Sequence, residues 1–518
     1  MPVEALKKIN SMIDVGEFEE AEELAKILLL YLEKNDDESE YFSILFFNLS
    51  GNLIDIGHNT GKKSLSSQGV SILENLRERF AEIVPLHSYF YNLANAKSNL
   101  VEKKPPPDLT FENIESLVSA KNYYWRAIKE AKICGEVSPE YYVNLANCLK
   151  QQIRLSESLG YYDTVIGMGK DIPQANVNRA ETLMLLNMVS NSYSVRMLWD
   201  VINEYKTASN SNSIPSSYAE YYAGKANYLE DNCKKQNIHL SKDDIEETDR
   251  EFQELSEYRQ FCCNNHLTLS EHGLYCSCAG SARDNLTIPL RTISSSGEFV
   301  PQMEMVLNRI KSEFSLARRN YYEYINDQEE LELAHEECFT ELYNDECLGI
   351  AYEKLRSSFR LCFGILDKIG LAICELFDLK PANGMVYFQN FWQLDHDDRR
   401  EKFEKVKSLG LLALYSIATD LNEHKNGEWK EFKAWRNSME HGFFVVTEKN
   451  NIDDIYGSFG FSKDVEFVHI EQFEYFVKHM LHLTRSAIFS FVFLIREKSL
   501  DKCDQKGFLM ELERKDFK

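Results

Sequence analysis

This chain of 518 residues is short of positive charge: 58 Lys and Arg stand against 82 Asp and Glu, for a formal net charge of −24. Such a balance excludes broad, sequence-blind binding to nucleic acid or to an anionic membrane surface, because the summed field repels polyanions. Any contact with RNA must rest on a local basic patch. Long apolar runs are missing too. The stretch from Ala487 to Ile495 falls well below the roughly 20 residues that span a bilayer, so it reads as a core helix. Met1-Pro2-Val3-Glu4 lacks the basic and apolar regions of a signal peptide. The 12 cysteines are scattered, several of them inside helical patterns (Cys362, Cys374), and not arrayed as a disulfide framework. These absences predict a cytoplasmic protein with reduced thiols and no membrane contact. There is no Walker-type loop, no G-x-G-x-x-G after a strand and no nucleophile elbow. Gly167-Met168-Gly169 follows a helical pattern and reads as a hairpin turn. No cofactor and no ATP dependence are expected within this chain.

What is present is ordinary globular material, 44% hydrophobic and 27% charged, long enough for several domains with buried cores. The patterning is all-α. Residues 1–235 read as helical hairpins. Gly16-Glu17-Phe18-Glu19-Glu20-Ala21 follows an amphipathic stretch carrying Leu6, Ile9 and Ile13, which is the turn of a tetratricopeptide-like (TPR-like) repeat. Phe47-Asn48-Leu49-Ser50, Tyr91-Asn92-Leu93-Ala94-Asn95 and Val143-Asn144-Leu145-Ala146-Asn147 share one pattern, spaced by 44 and 52 residues (47 to 91, 91 to 143). That exceeds the usual repeat of about 34 and indicates degenerate repeats with insertions. Asn176-Val177-Asn178-Arg179-Ala180 resembles the start of a further unit. Hairpins that cannot bury their apolar faces alone must stack on their neighbours. The surface so formed suits a protein, peptide or nucleic-acid trigger; the plainer reading is a scaffold.

Punctuation sets the remaining boundaries. Pro105-Pro106-Pro107 is expected to be extended, and Ser209–Ser217 and Ser294-Ser295-Ser296-Gly297 read as loops. Residues 236–300 read as a linker or insert holding a Cys/His cluster, Cys262-Cys263-x-x-His266 followed by His272-x-x-x-Cys276-x-Cys278. Four such donors can form a tetrahedral zinc site, with Cys263, His266, Cys276 and Cys278 as the candidate set. The spacing is not that of a standard finger, and a loop with incidental thiols is the plainer reading. Residues 301–346 read as connecting acidic helices, about 302–326 and 328–345.

From 347 to 518 the pattern sharpens into a bundle. One long amphipathic helix runs to about Asp378. A second is expected over about 397–422 and a third from Gly427, with Trp429, Phe432, Trp435 and Met439 as core. A last helix covers about 469–497. Phe443–Val446 and Val465–Val468 form two short strands, expected as a β-hairpin.

The third helix carries Trp435-Arg436-Asn437-Ser438-Met439-Glu440-His441. This is the one place where the residue types needed for metal-free RNA cleavage sit together. Asn437 and His441, four apart, share a helix face, and Arg436 is one position off it. A guanidinium binds phosphate oxygens and stabilises the extra charge of a phosphodiester transition state, and an imidazole moves protons near neutral pH. RNA brings its own nucleophile, the 2′-OH, so no metal is needed. Arg399, Arg400, Lys402, Lys405, Lys407, Lys430, Lys433 and Arg436 offer a local basic patch; the plainer reading is a solvated helix face balanced by Glu and Asp. The structural alternative pairs Arg436 with Glu440 and leaves His441 as a helix cap.

Arg436-Asn437-x-x-x-His441, the following Gly442 and aliphatic segment, and the long first helix with Asp367 resemble the RxxxxH signature and arrangement of HEPN-domain ribonucleases, over about 347–497. The whole chain resembles bacterial HEPN proteins with N-terminal tetratricopeptide-like repeats. The resemblance implies an all-α solenoid followed by a HEPN four-helix bundle, with Arg436, Asn437 and His441 catalytic and Asp367 supporting them from the first helix. The plainer reading pairs Asp367 with Lys368 or Lys354. It further implies cleavage leaving a 2′,3′-cyclic phosphate, a homodimer through the HEPN bundle, and a setting of antiphage defence or a toxin–antitoxin pair in which tRNA, mRNA or rRNA is cut. The competing readings are a non-catalytic adaptor whose bundle only dimerises, and a zinc-dependent protein built on the Cys/His cluster.

Overall fold

The computed structural model describes residues 2–192, 194–238, 251–288, 293–294, 300–326, 345–382, 384–449, 465–501 and 509–510. It is mostly helical, an all-α chain with one small parallel two-stranded sheet in its C-terminal part. No helix among the described residues is long and apolar enough to cross a membrane. The expected second acidic helix, 328–345, falls almost wholly outside the described residues.

The chain forms two compact units. The first comprises Met1–Gln152, Tyr161–Glu181 and Val201–Asp231; the second comprises Ile153–Gly160, Thr182–Asp200 and Asn232–Lys518. The boundaries of the two units therefore interleave along the chain.

In the first unit, helices follow one another with short turns: Pro2–Val15, Phe18–Asn35, Glu40–Thr60, Lys63–Asn75, Leu86–Leu100, Phe111–Cys134 and Pro139–Gln151. Each packs mainly on its neighbours in sequence, as a stacked array requires. Gly16 takes φ +85 between the first two helices, a conformation that glycine adopts without steric cost, and Ala21 is fully buried beside that turn. The recurring Asn has a physical role. Asn95 Oδ1 accepts from the Tyr124 hydroxyl at 2.8 Å, and Asn147 Oδ1 accepts from the Tyr162 hydroxyl at 2.5 Å. In both places the last residue of Asn-Leu-Ala-Asn bonds a tyrosine further along the chain, while Leu93, Ala94, Leu145 and Ala146 are buried. The three prolines are not wholly extended: Pro106–Asp108 makes one 3-10 turn, because proline is tolerated in a first helical turn.

The second unit is organised around the helix Ile470–Asp501, whose stretch Ala487–Ile495 is buried throughout. An all-round apolar helix is a central one. Against it pack Val300–Asn326, Ile350–Phe377 and Leu409–Asp420. The helix expected over 397–422 is in fact two, Asp397–Lys405 and Leu409–Asp420. Ser408 stops the continuation: its side chain accepts from Leu411 N at 3.0 Å and caps the second helix. Phe443–Thr447 and Val465–His469 do pair, residue for residue, but in parallel. The parallel register excludes a hairpin, and the 17 residues between the strands (448–464) give the chain length that a parallel connection needs.

Gly410 sets how closely two helices of the bundle approach. A Cβ there would lie 2.5 Å from Ser490 O and 2.6 Å from Leu494 N, both backbone atoms of the central helix. Gly410→Ala should destabilise the protein by about 1–3 kcal/mol, read as a lowered midpoint in thermal or urea unfolding.

Candidate active site

The helix Glu431–His441 carries the motif. It opens after a turn that only glycine allows. A Cβ on Gly427 would stand 2.2 Å from the Asp420 carbonyl oxygen, which accepts from Trp429 N at 2.9 Å. Phe432 and Trp435, one turn apart, face inward. Phe432 meets Phe359 at 5.4 Å and Phe476 at 5.2 Å between ring centroids. Trp435 meets Phe476 at 5.2 Å and Phe444 at 5.7 Å. Such aromatic pairs fix the rotation of the helix about its axis.

Arg436 therefore emerges at the edge of this cluster. Its Nη1 donates to Asp367 Oδ2 at 2.8 Å. The guanidinium carbon lies 5.7 Å from the Phe363 ring and 5.8 Å from the Tyr387 ring, within cation–π range of both. The other carboxylate oxygen, Asp367 Oδ1, accepts from Phe388 N at 2.9 Å. Burial pushes the Asp367 carboxyl up from its ordinary value, against the opposing pull of the Phe388 amide and of Arg436. Asp367 does not pair with Lys368 or Lys354. Lys368 holds Glu313 at 2.9 Å, and Lys354 holds Glu323. Arg436 likewise bonds Asp367 and not Glu440.

Asn437 and His441 occupy the opposite, exposed face. His441 ends the helix, and Gly442 N donates to Ser438 O at 3.1 Å. Neither side chain makes a hydrogen bond among the described residues. Phe443, two positions on, is 53% exposed. The structure thus joins Arg436 to Asp367 and leaves Asn437 and His441 facing outward.

Beside Arg436 lies a cleft of about 430 Å³ lined by Tyr387, Gln389, Asn390, Trp392, Tyr415, Asn422 and Lys433, among others. Gln389 is 1% exposed, and both atoms of its side-chain amide lack a partner among the described residues. Leaving a buried amide unpaired costs about 1–3 kcal/mol. The sequence reading missed Tyr387 and Gln389, which lie in a connecting stretch. The one signal there was the density of rings and amides in Tyr387-Phe388-Gln389-Asn390-Phe391-Trp392. The expected basic patch is thinner than its residue count. Arg399 donates to Leu379 O at 2.8 Å and Phe391 O at 2.6 Å, and Arg400 donates to Leu394 O at 3.0 Å. Both hold the chain in place. Lys405 pairs with Glu401 at 2.7 Å.

The Cys/His cluster assembles differently from the expected set. Cys276 and Cys278 gather with His272. His266 instead follows the helix Glu257–Asn264 at φ +52. Spacing alone does not show which histidine the turns of this segment bring to the two thiols.

The bundle sets its Arg-bearing helix against a carboxylate on the long helix. Residues 294–498 match the family described as LA2681-like HEPN. The match begins ahead of Val300–Asn326, a helix that the sequence had assigned to a connecting stretch, and that helix packs on both Ile350–Phe377 and the central helix. No curated protein and no solved structure matches the chain.

Proposed function

We propose that the HEPN domain is a metal-independent endoribonuclease. The observation that carries this reading is the clamp on Arg436: a 2.8 Å bond to Asp367 between two aromatic rings. A guanidinium held in that way stands ready for a phosphate without having to be ordered first. The cleft beside it suits an unstacked base, since aromatic rings and a free amide are what proteins use to hold single-stranded RNA. In the reaction the 2′-oxygen attacks phosphorus and loses its proton to a base. The bond to the 5′-oxygen breaks, and that oxygen takes a proton from an acid. The products are a 2′,3′-cyclic phosphate and a 5′-OH. His441 serves as base or acid, and Asn437 on the same face contacts the phosphate.

One domain presents Arg436 and His441 on different faces of its helix. A homodimer through the HEPN bundle brings a second copy of both to one cleft, and exposed Phe443 beside His441 supplies apolar area for that contact. The helical repeats sense a trigger. The protein then acts as an effector of antiphage defence or of a toxin–antitoxin pair, cutting tRNA, mRNA or rRNA.

The test is cleavage of mixed cellular RNA by the purified chain in magnesium-free buffer with EDTA, with the ends of the products analysed. Cleavage leaving cyclic phosphate, and absent with His441→Ala, is the expected result. Products with 5′-phosphate, or equal cleavage by the variant, would overturn the assignment. A chain that cuts nothing yet dimerises through the bundle would favour the adaptor reading, to which the outward-facing His441 lends some support.

A further inference from the structure

We infer that His272, Cys276 and Cys278 form a binding site for a zinc-class divalent metal ion. Their donor atoms, one from each residue, all lie within 4.8 Å of one another, and His272 Nε2 is 3.0 Å from Cys278 Sγ. Three donors of this kind, two soft thiols and one imidazole, suit Zn²⁺ better than magnesium or calcium, which take oxygen.

The surroundings are built for it. His272 Nδ1 lies 3.1 Å from the Tyr275 hydroxyl, which donates its own proton to Ser194 Oγ at 2.9 Å. The hydroxyl oxygen must therefore accept from Nδ1–H, which leaves the Nε2 lone pair directed at the sulfurs. A partner on the far ring nitrogen is the usual support of a metal-bound histidine.

The ion's role follows from where the segment sits. Residues 257–282 hold one eight-residue helix, Glu257–Asn264, and two 3-10 turns, too little regular structure to support itself. Yet the central helix of the HEPN bundle grips it. Arg485 donates to Thr268 O at 2.8 Å and Gly273 O at 3.0 Å, and Arg496 pairs with Glu271 at 2.6 Å. A structural ion would hold the segment in the shape that these arginines receive, supplying folding energy that a small core cannot.

The site is independent of RNA cleavage, so it is tested by metal content and not by activity. The full-length chain, purified under reducing conditions without chelator, should carry about one zinc per chain by elemental analysis. Treatment with a mercurial should release that zinc to a colorimetric dye. Tyr275→Phe, which leaves every ligand in place, should weaken zinc binding by about 10–100-fold. Cys278→Ser should abolish it. Metal-free wild-type protein that also takes up no added zinc would overturn the proposal. So would zinc retained in full by Cys278→Ser.

Discussion

His441→Ala should lower the rate of RNA cleavage by about 10²–10⁴-fold, the usual worth of a positioned proton-transfer group. Arg436→Ala should cost about 10²–10³-fold, the scale of removing one donor to a developing oxyanion. The two losses have different origins, and that difference is measurable. His441 is exposed and makes no bond among the described residues, so its removal should leave the unfolding midpoint where it was. Arg436 is tied to Asp367 and packed between Phe363 and Tyr387, so its removal leaves a half-buried carboxylate short of a partner and should lower stability as well. Arg436→Lys should rescue little activity, since an ammonium has no planar fork to share between a carboxylate and a phosphate. Single-turnover rates and thermal unfolding of the three variants check all of this. A His441→Ala chain that cuts RNA at the wild-type rate would end the assignment.

The second large effect lies away from the motif. Arg154 and Asp420 are both fully buried and form an ion pair. Arg154 also grips Glu157 with Nε at 2.8 Å and Nη2 at 2.5 Å. Burial works to strip the proton from the Arg154 guanidinium, but Asp420 and Glu157 overcome it and raise its pKa above the ordinary value. Asp420 ends the helix Leu409–Asp420, and its carbonyl receives Trp429 N at the approach to the motif helix. Arg154→Ala should destabilise the protein by about 3–5 kcal/mol, because it strands a buried carboxylate. Urea unfolding followed by tryptophan fluorescence would read that loss, and a shift below 1 kcal/mol would contradict it.

Legibility tracked the range of the interactions. The long helix ending at Phe377, the motif helix and the buried last helix were read from periodicity, which is local. Asp367 was placed opposite the motif by resemblance, and the structure joins it to Arg436 across a sequence separation of 69. The split at Ser408 is also a local signal, a capping residue inside an apolar pattern. The parallel sense of the two strands, the Gln389 cleft and the choice of His272 over His266 depend on how distant segments meet. No window of sequence contains that information. Arg154 illustrates the limit: an arginine in an ordinary helical hairpin proves to be paired 266 residues away.

The interleaving of the two units has a practical meaning for dissecting this protein. Ile153–Gly160 and Thr182–Asp200 belong to the second unit although both neighbouring stretches belong to the first. Removal of residues 1–235 would take Arg154 from Asp420 and Ser190 from Arg496. A protein severed there would lack pieces of its own remaining half. Modularity in this chain is spatial and not sequential, so its C-terminal half is better studied by point substitution in the intact polypeptide than by truncation.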